Sequence, residues 1–390
     1  MKILHCVEFY DPSVGGMQEV VKQLSERLVL LGHQVTVATT AMESRREKVI
    51  NGVRIAEFAV SGRLATGLAG EVDAYRDYVL ESGFDVVTNF AAQQWTTDAV
   101  ITMLDEIKAK KVFVPTGFSE LHHPRFQEYF SSMRRWLHQY DMNVFLSNDY
   151  RDINFARECG VERLMLIPNG ASEEEFLAGQ QGDIRAQLGI PHDHFLILHV
   201  GSHTGLKGHA EAIRIFDKAR IKNATLLIAA NDFGKGCGTS CKLKRLLFNA
   251  WPRRLSDGKK IVVTPLPRRE TVAAYHAADL FLFPSNIECS PLVLFECMAS
   301  KTPFLSTEVG NASEIVAWSG GGSLLPTVKG AKGRVRAELA GSTAMLEKLY
   351  LDDACRKSMA EAGFSAWQQR FTWSAIAAEY EKLYRELLES

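Results

Sequence analysis

Short apolar runs alternate with helical patterns along this chain, and the alternation starts twice. In the first half the runs are KILHCVEF from Lys2, QVTVATT from Gln34, VRIAEFAV from Val53, DVVTNF from Asp85, KVFVPTG from Lys111, NVFLSN from Asn143 and LMLIPN from Leu164. The pattern restarts with FLILHVG from Phe195, ATLLIAAN from Ala224, KIVVTP from Lys260, DLFLFPS from Asp279 and PFLSTEVG from Pro303. Near-continuous runs of Val, Ile, Leu and Phe are what strands covered on both faces require. Between them apolar residues recur at helical spacing, as at Met17, Val20, Leu24, Leu28 and Leu31. Strand–helix alternation implies parallel sheets with crossover helices. The expected fold class is therefore α/β, with two doubly wound domains.

The break between the halves is Pro168 to His194, rich in turn and polar residues, which reads as a linker. Domains are expected over about 1–170 and 190–370. The tail FTWSAIAAEYEKLYRELLES reads as one helix with Ile376, Tyr380, Leu383, Tyr384 and Leu387 on one face. A chain of 390 residues, 46% hydrophobic and 23% charged, suits a soluble globular protein. Its formal net charge of -1 argues against a nucleic-acid binder driven by bulk charge. No apolar run reaches the ~20 residues that span a bilayer, and the first run is too short and polar for a signal peptide. The 7 cysteines form no framework, which suggests a reducing, cytoplasmic compartment. Cys237 and Cys241 lack a second Cys or His pair at zinc-finger spacing and read as ordinary loop thiols.

The stretch PSNIECSPLVLFECMAS, Pro284 to Ser300, carries the chemistry. Ser290 is expected at the N-cap of a helix, with Pro291 at its first position. The next amides, on Leu292 and Val293, would point out of the helix start and suit a diphosphate. Glu288 precedes this end, and Glu296 lies one turn inside an otherwise apolar helix. A carboxylate can accept two hydrogen bonds from a vicinal diol. One can then hold ribose hydroxyls and the other sugar hydroxyls, across the diphosphate. The alternative is an exposed Glu288 and a Glu296 that merely pairs or caps.

The two glutamates, with seven residues between them after a PS strand end, resemble the donor-site signature of retaining GT-B glycosyltransferases of family 4. GGMQEVVKQLSERLVLLGHQVTVAT resembles the family's glycine loop and first helix, IPNGASEEEF its turn at the domain junction, VGSHTGLKGHAEAI its lysine-bearing helix start, and FTWSAIAAEYEKLY its C-terminal helix. The resemblance covers nearly the whole chain. It implies two Rossmann-like domains facing a cleft, the N-terminal one (1–170) on the acceptor side with 371–390 packing back on it, and the C-terminal one (190–370) holding the nucleotide sugar. Gly15 and Gly16 match the loop that approaches the phosphates. Lys207 matches the lysine that neutralises the departing diphosphate, and Glu288 the glutamate near the donor sugar; these two are the candidate catalytic residues. Glu296 matches the glutamate on the ribose, and Ser290, Pro291 and Leu292 the segment around the phosphates. Retention is ascribed in the family to front-face attack, with the leaving phosphate oxygen taking the acceptor's proton.

Two departures from the family pattern stand out. Ser202 replaces an arginine, and the following His203 is a conditional cation. Thr116 stands where many members have a histidine, with His122 and His123 expected on the surface of the following loop. No D-x-D pair is present to hold a metal on the donor, so the implied reaction needs no metal and no cofactor. The expected partners are a nucleotide-diphosphate sugar and a glycan or glycolipid acceptor, without nucleic acid, in cell-surface polysaccharide or glycolipid assembly. A GT-B epimerase or phosphorylase, or a donor-binding scaffold without activity, are the rival readings. Two amphipathic stretches bear on partners. The stripe Phe126, Tyr129, Phe130, Met133, Trp136, Leu137 and Tyr140 reads as core, with a membrane or acceptor face as its alternative. Lys242 to Arg254 is basic and apolar together, so it reads as solvated surface or as a peripheral contact with anionic head groups at the inner membrane face.

Overall fold

The computed structural model describes residues 1–178, 182–231, 236–330 and 333–390. The chain divides into two compact units, Met1–Asn169 with Trp373–Ser390, and Gly170–Thr372. The first unit contains β1 (Lys2–Cys6), β2 (Gln34–Thr40), β3 (Val49–Ile50), β4 (Val53–Phe58), β5 (Val60–Arg63), β6 (Gly67–Gly70), β7 (Val86–Phe90), β8 (Lys110–Val114), β9 (Met142–Phe145) and β10 (Leu164–Leu166). Its main sheet has the order β10-β9-β8-β7-β1-β2-β4-β3. It is parallel except where the short β3 pairs antiparallel with β4. β5 and β6 form a separate antiparallel pair. The second unit contains β11 (Phe195–Val200), β12 (Ala224–Ala229), β13 (Lys259–Thr264), β14 (Leu280–Phe283), β15 (Phe304–Ser306) and β16 (Gly322–Leu324), in the order β13-β12-β11-β14-β15-β16, plus an antiparallel pair β17 (Thr327–Lys329) and β18 (Val335–Ala337).

The apolar runs become strands because burial of both faces demands them. In β12 every residue is buried, and in β7 likewise. Helices cover these faces with their own apolar stripes. Phe126, Tyr129, Phe130, Met133, Trp136, Leu137 and Tyr140 all lie in the core of the first unit, so that stripe is packing. The C-terminal helix Trp373–Glu389 buries Ile376, Tyr380, Leu383, Tyr384 and Leu387, the expected face. Its Tyr384 hydroxyl reaches Thr88 Oγ1 at 2.7 Å, and Glu381 meets His33 Nε2 at 2.9 Å. In the second unit, Lys259 donates to Ala219 O at 2.9 Å at the end of the helix His209–Lys218, where a cation complements the helix dipole. Burial pushes this ammonium's pKa down to about 8.

The stretch expected to be a linker is structured in part. Helices Glu173–Leu177 and Ile184–Gln187 put Phe176 and Ile184 into the core of the second unit, joined by Ile190. Three apolar residues among many polar ones anchor the segment, each worth about 1.5–3 kcal/mol when fully buried. In each sheet the connections reverse direction once, between β1 and β7 in the first unit and between β11 and β14 in the second. At such a point neighbouring loops leave the strand ends in opposite directions and open a crevice at the carboxyl edge.

Candidate functional site

The crevice of the second unit gathers the residues singled out by the sequence. Lys207 comes from the loop after β11 and Glu288 from the loop after β14. The Lys207 ammonium donates to both Glu288 oxygens, at 2.7 and 2.9 Å. Ser285, which the sequence reading passed over, donates through Oγ to Glu288 Oε1 at 2.8 Å. The lysine side chain is 30% exposed and the glutamate side chain 11%. The ammonium has three N–H bonds, so two directed at Glu288 leave one for a ligand.

Close backbone approach holds this geometry. Gly208 adopts φ +74, and a Cβ there would meet Pro284 O at 1.9 Å. Gly310 adopts φ +54, and its Cβ would meet Cys289 O at 2.2 Å. Asn286 N donates to Leu206 O at 2.9 Å, and Asn311 N to Cys289 O at 2.9 Å. The loops after β11, β14 and β15 are thus locked to one another through their main chains.

The helix after Glu288 runs Leu292–Ala299, with Pro291 at the N-cap and no side chain capping it. This corrects the expectation of Ser290 at the cap with Pro291 inside. The helix opens one residue later, and Ser290 Oγ instead accepts from Asn311 Nδ2 at 3.2 Å. Leu292 is the first helical residue. Leu294 N already finds Pro291 O at 3.1 Å. Glu296 is buried, and it is paired: Arg268 Nη1 donates to its Oε1 at 2.6 Å. The same guanidinium grips Glu175, with Nη2 at 2.6 Å from Oε2. Arg268 lies 28 residues from Glu296 in sequence, in an ordinary basic pair, so nothing local announces it.

Ser202 is half-buried. His203 is buried, with Nδ1 3.5 Å from Cys237 Sγ and its ring 4.6 Å from that of His209. That nitrogen faces a thiol, which alters its expected role as a stand-in for the arginine. Cys237 and Cys241 are not loop thiols either. Cys237 caps the helix Gly238–Asn249, and Cys241 is buried in its first turn. Neighbouring His199 and His209 are neutral near pH 7, because burial pushes their pKa values down to about 4 and about 2.

In the first unit, Gly15 is the N-cap and Gly16 the first residue of the helix Gly16–Leu30. Gly15 has φ 179, extended backbone open to any residue. A cavity of about 210 Å³ opens at this unit's own crevice, lined by Glu8, Arg63, Gln93, Thr116 and Glu120 among others. Four non-glycine residues beside it, Ala91, Gln93, Thr116 and Phe118, hold positive φ. Such strain concentrates where a loop must be aimed at a ligand. Two buried carboxylates support these loops. Asp152 accepts from Gly117 N at 2.8 Å, and Asp98 accepts from the Tyr129 hydroxyl at 2.8 Å, which in turn accepts from Gln93 N at 3.0 Å. Burial raises both carboxyl pKa values to about 6. His122 and His123 are exposed, as expected.

Two family descriptions match the chain, Glycosyltransferase Family 4 over residues 14–175 and Glycosyl transferases group 1 over residues 180–331. The D-inositol 3-phosphate glycosyltransferase of Xylanimonas cellulosilytica is 25% identical over 95% of this chain and 92% of its own. Sucrose-phosphate synthase from Thermosynechococcus elongatus superposes with a TM-score of 0.79 at 20% identity, over 100% of this chain and 99% of its own. Anabaena HepE, solved with UDP and glucose, gives 0.72 at 15% identity over 99% of this chain and 100% of its own. At those identities the solved structures speak to the fold, which is GT-B. Matched by the two families in succession along most of its length, the chain belongs to the glycosyltransferases of family 4 and group 1.

Proposed function

We propose that the protein transfers a sugar from a nucleoside-diphosphate sugar to a hydroxyl acceptor, with retention of anomeric configuration, in cell-surface polysaccharide or glycolipid assembly. The observation that carries the reading is the Lys207–Ser285–Glu288 group at the crevice of the second unit, with buried Glu296 one turn inside the adjoining helix. On this reading the diphosphate lies against the Lys207 ammonium and the main-chain amides at the start of the Leu292–Ala299 helix. Glu296 takes the ribose diol and Glu288 the donor sugar. The leaving phosphate oxygen takes the proton of the acceptor hydroxyl, so no protein nucleophile is needed. UDP-sugars are the first donors to try, given the UDP bound by the Anabaena neighbour. A thermal-shift panel of UDP-, GDP- and ADP-sugars identifies the donor, since a ligand that binds only the folded state raises the midpoint. NMR of the product then reads the anomeric configuration. An inverted product, or conversion of donor without acceptor, overturns the proposal.

The donor needs no divalent ion on this reading, because the ammonium and helix start carry the diphosphate charge. Adding Mg²⁺ or Mn²⁺ to the assay is expected to leave the rate unchanged. Strict dependence on either ion overturns this.

Peripheral membrane contact is the finer part of the proposal. Leu243, Leu246, Leu247, Trp251 and Leu255 are each more than half exposed, and Lys242, Lys244, Arg245, Arg253 and Arg254 lie among them. Along the helix Gly238–Asn249 the leucines fall on one face at three- and four-residue spacing. No helix among the described residues is long and apolar enough to cross a membrane. An apolar face rimmed by cations suits the plane of an anionic lipid surface. Vesicles containing anionic lipid are expected to sediment the protein in a salt-sensitive manner. Leu247→Glu with Trp251→Glu is expected to weaken that binding by more than about tenfold, each buried large apolar side chain being worth about 1.5–3 kcal/mol. Equal binding by the double variant sinks the assignment.

A further inference from the structure

We propose that His203, Cys237 and Cys241 form a zinc site that ties the Lys207-bearing loop to the helix Gly238–Asn249. The three residues come from two elements. His203 sits in the loop that follows β11, while Cys237 and Cys241 stand one turn apart at the start of the helix. Their ligand atoms all lie within 4.8 Å of one another. Tetrahedral zinc, with Zn–S of about 2.3 Å and Zn–N of about 2.0–2.1 Å, separates its ligand atoms by about 3.5–3.8 Å. The His203 Nδ1–Cys237 Sγ distance is 3.5 Å. His209 stands beside the three, with Nδ1 3.7 Å from the same sulfur, and closing onto the group would complete four ligands. Its Nε2 lies 3.1 Å from Gly201 O. Donation to that carbonyl puts the N–H on Nε2 and leaves the Nδ1 lone pair toward the Cys237 sulfur, the outer-shell arrangement that orients metal-bound imidazoles.

The surroundings fit a closed site. His203, His209 and Cys241 are each 2% exposed or less, and Cys237 is partly exposed. Two thiolates with imidazole form a borderline-soft donor set, which selects zinc over magnesium or calcium. Binding exchanges protons only: Zn²⁺ displaces one proton from each thiol to solvent, the imidazoles stay neutral, and the two thiolates balance the ion's charge. The Cys237 amide also donates to His203 O at 3.1 Å, so the loop and the helix start are in main-chain contact without the ion. None of Lys207, Ser285 or Glu288 is among the ligands. The site is therefore separate from donor chemistry, and its role is to fix the loop that presents Lys207.

The test uses the full chain, produced in zinc-supplemented medium and purified under reducing conditions without an affinity tag. Elemental analysis is expected to find one zinc per chain. Replacement by Co²⁺ is expected to give thiolate-to-cobalt charge-transfer absorption with visible bands of tetrahedral intensity. Cys241→Ser is expected to abolish stoichiometric zinc. Cys237→Ser, at the partly exposed position, gives the same reading should the buried variant fail to fold. Zinc removal is expected to lower the thermal midpoint, and zinc but not magnesium to restore it. A wild-type protein that takes up no zinc overturns the proposal. So do serine variants that keep the wild-type cobalt spectrum, or a Cys237–Cys241 disulfide found by mass in the reduced preparation. None of these readouts depends on glycosyl transfer, so failure of the zinc site and failure of the proposed reaction are distinguishable.

Discussion

Lys207→Ala is expected to lower kcat on the order of 100–1,000-fold with only a modest change in KM, the usual cost of removing one preorganised charge donor. On the proposed reaction, negative charge grows on the leaving diphosphate as the glycosidic bond breaks. A cation fixed there stabilises the transition state more than the bound donor, so its loss belongs in kcat. The structure adds a reason for that fixity. Glu288 accepts from the ammonium at 2.7 and 2.9 Å and is itself held by Ser285 at 2.8 Å, so the lysine does not have to be ordered when the donor arrives. The pairing also complicates the variant, which leaves a mostly buried carboxylate without its cation. Circular dichroism and the thermal midpoint must therefore be measured alongside the rate. Ser202→Arg is expected to be tolerated and to recover part of the activity lost in Lys207→Ala. A near-normal kcat in a folded Lys207→Ala protein sinks the assignment, as does a loss confined to KM.

Glu296→Gln is expected to weaken free nucleoside diphosphate and whole donor alike. A charge-assisted hydrogen bond is worth about 1.5–3 kcal/mol, so calorimetry should show Kd rising by about ten- to a hundredfold. Arg268 supplies the competing explanation. Its guanidinium already binds Glu296 at 2.6 Å, and an ion pair that only braces the fold needs no ligand. The two roles separate by measurement. A bracing role moves the thermal midpoint and leaves nucleotide Kd alone; a ribose role moves Kd in protein that melts normally. Unchanged Kd in Glu296→Gln leaves Glu296 as a structural partner of Arg268.

How far the sequence could be read depended on how local the cause was. β2 has the bounds of its apolar run, Gln34–Thr40, because burial of both faces writes itself into consecutive residues. The face of the C-terminal helix was equally legible, since one stripe at helical spacing has to be covered. β3, β5, β6, β16, β17 and β18 were missed. They are two to four residues long and none is buried throughout, so no apolar run marks them. The missed anchors of the presumed linker, Phe176 and Ile184, are single residues among polar ones. Lys207, Glu288 and Glu296 were singled out through resemblance, but their partners in the structure were not. Ser285 looked like part of a strand end, and Arg268 like one half of a surface basic pair. Cys237 and Cys241 were legible as a pair. The imidazoles that join them lie 28 and 34 residues away, brought in by the parallel ladder of β11 and β12.

The two glycines at the crevice also set limits for anyone who would breed new donor preferences into this protein. A side chain at Gly208 would have to displace the Pro284 carbonyl, and one at Gly310 the Cys289 carbonyl, both parts of the loop that holds Glu288. Neither obstacle is a flexible side chain that can swing aside. Random libraries will therefore return inactive clones at these two positions whatever sugar is offered, and screening effort spent there is lost. Diversity is better directed at side chains that line the crevice without shaping its backbone, where a change of residue can alter the fit of a hexose while the lysine and glutamate keep their separation.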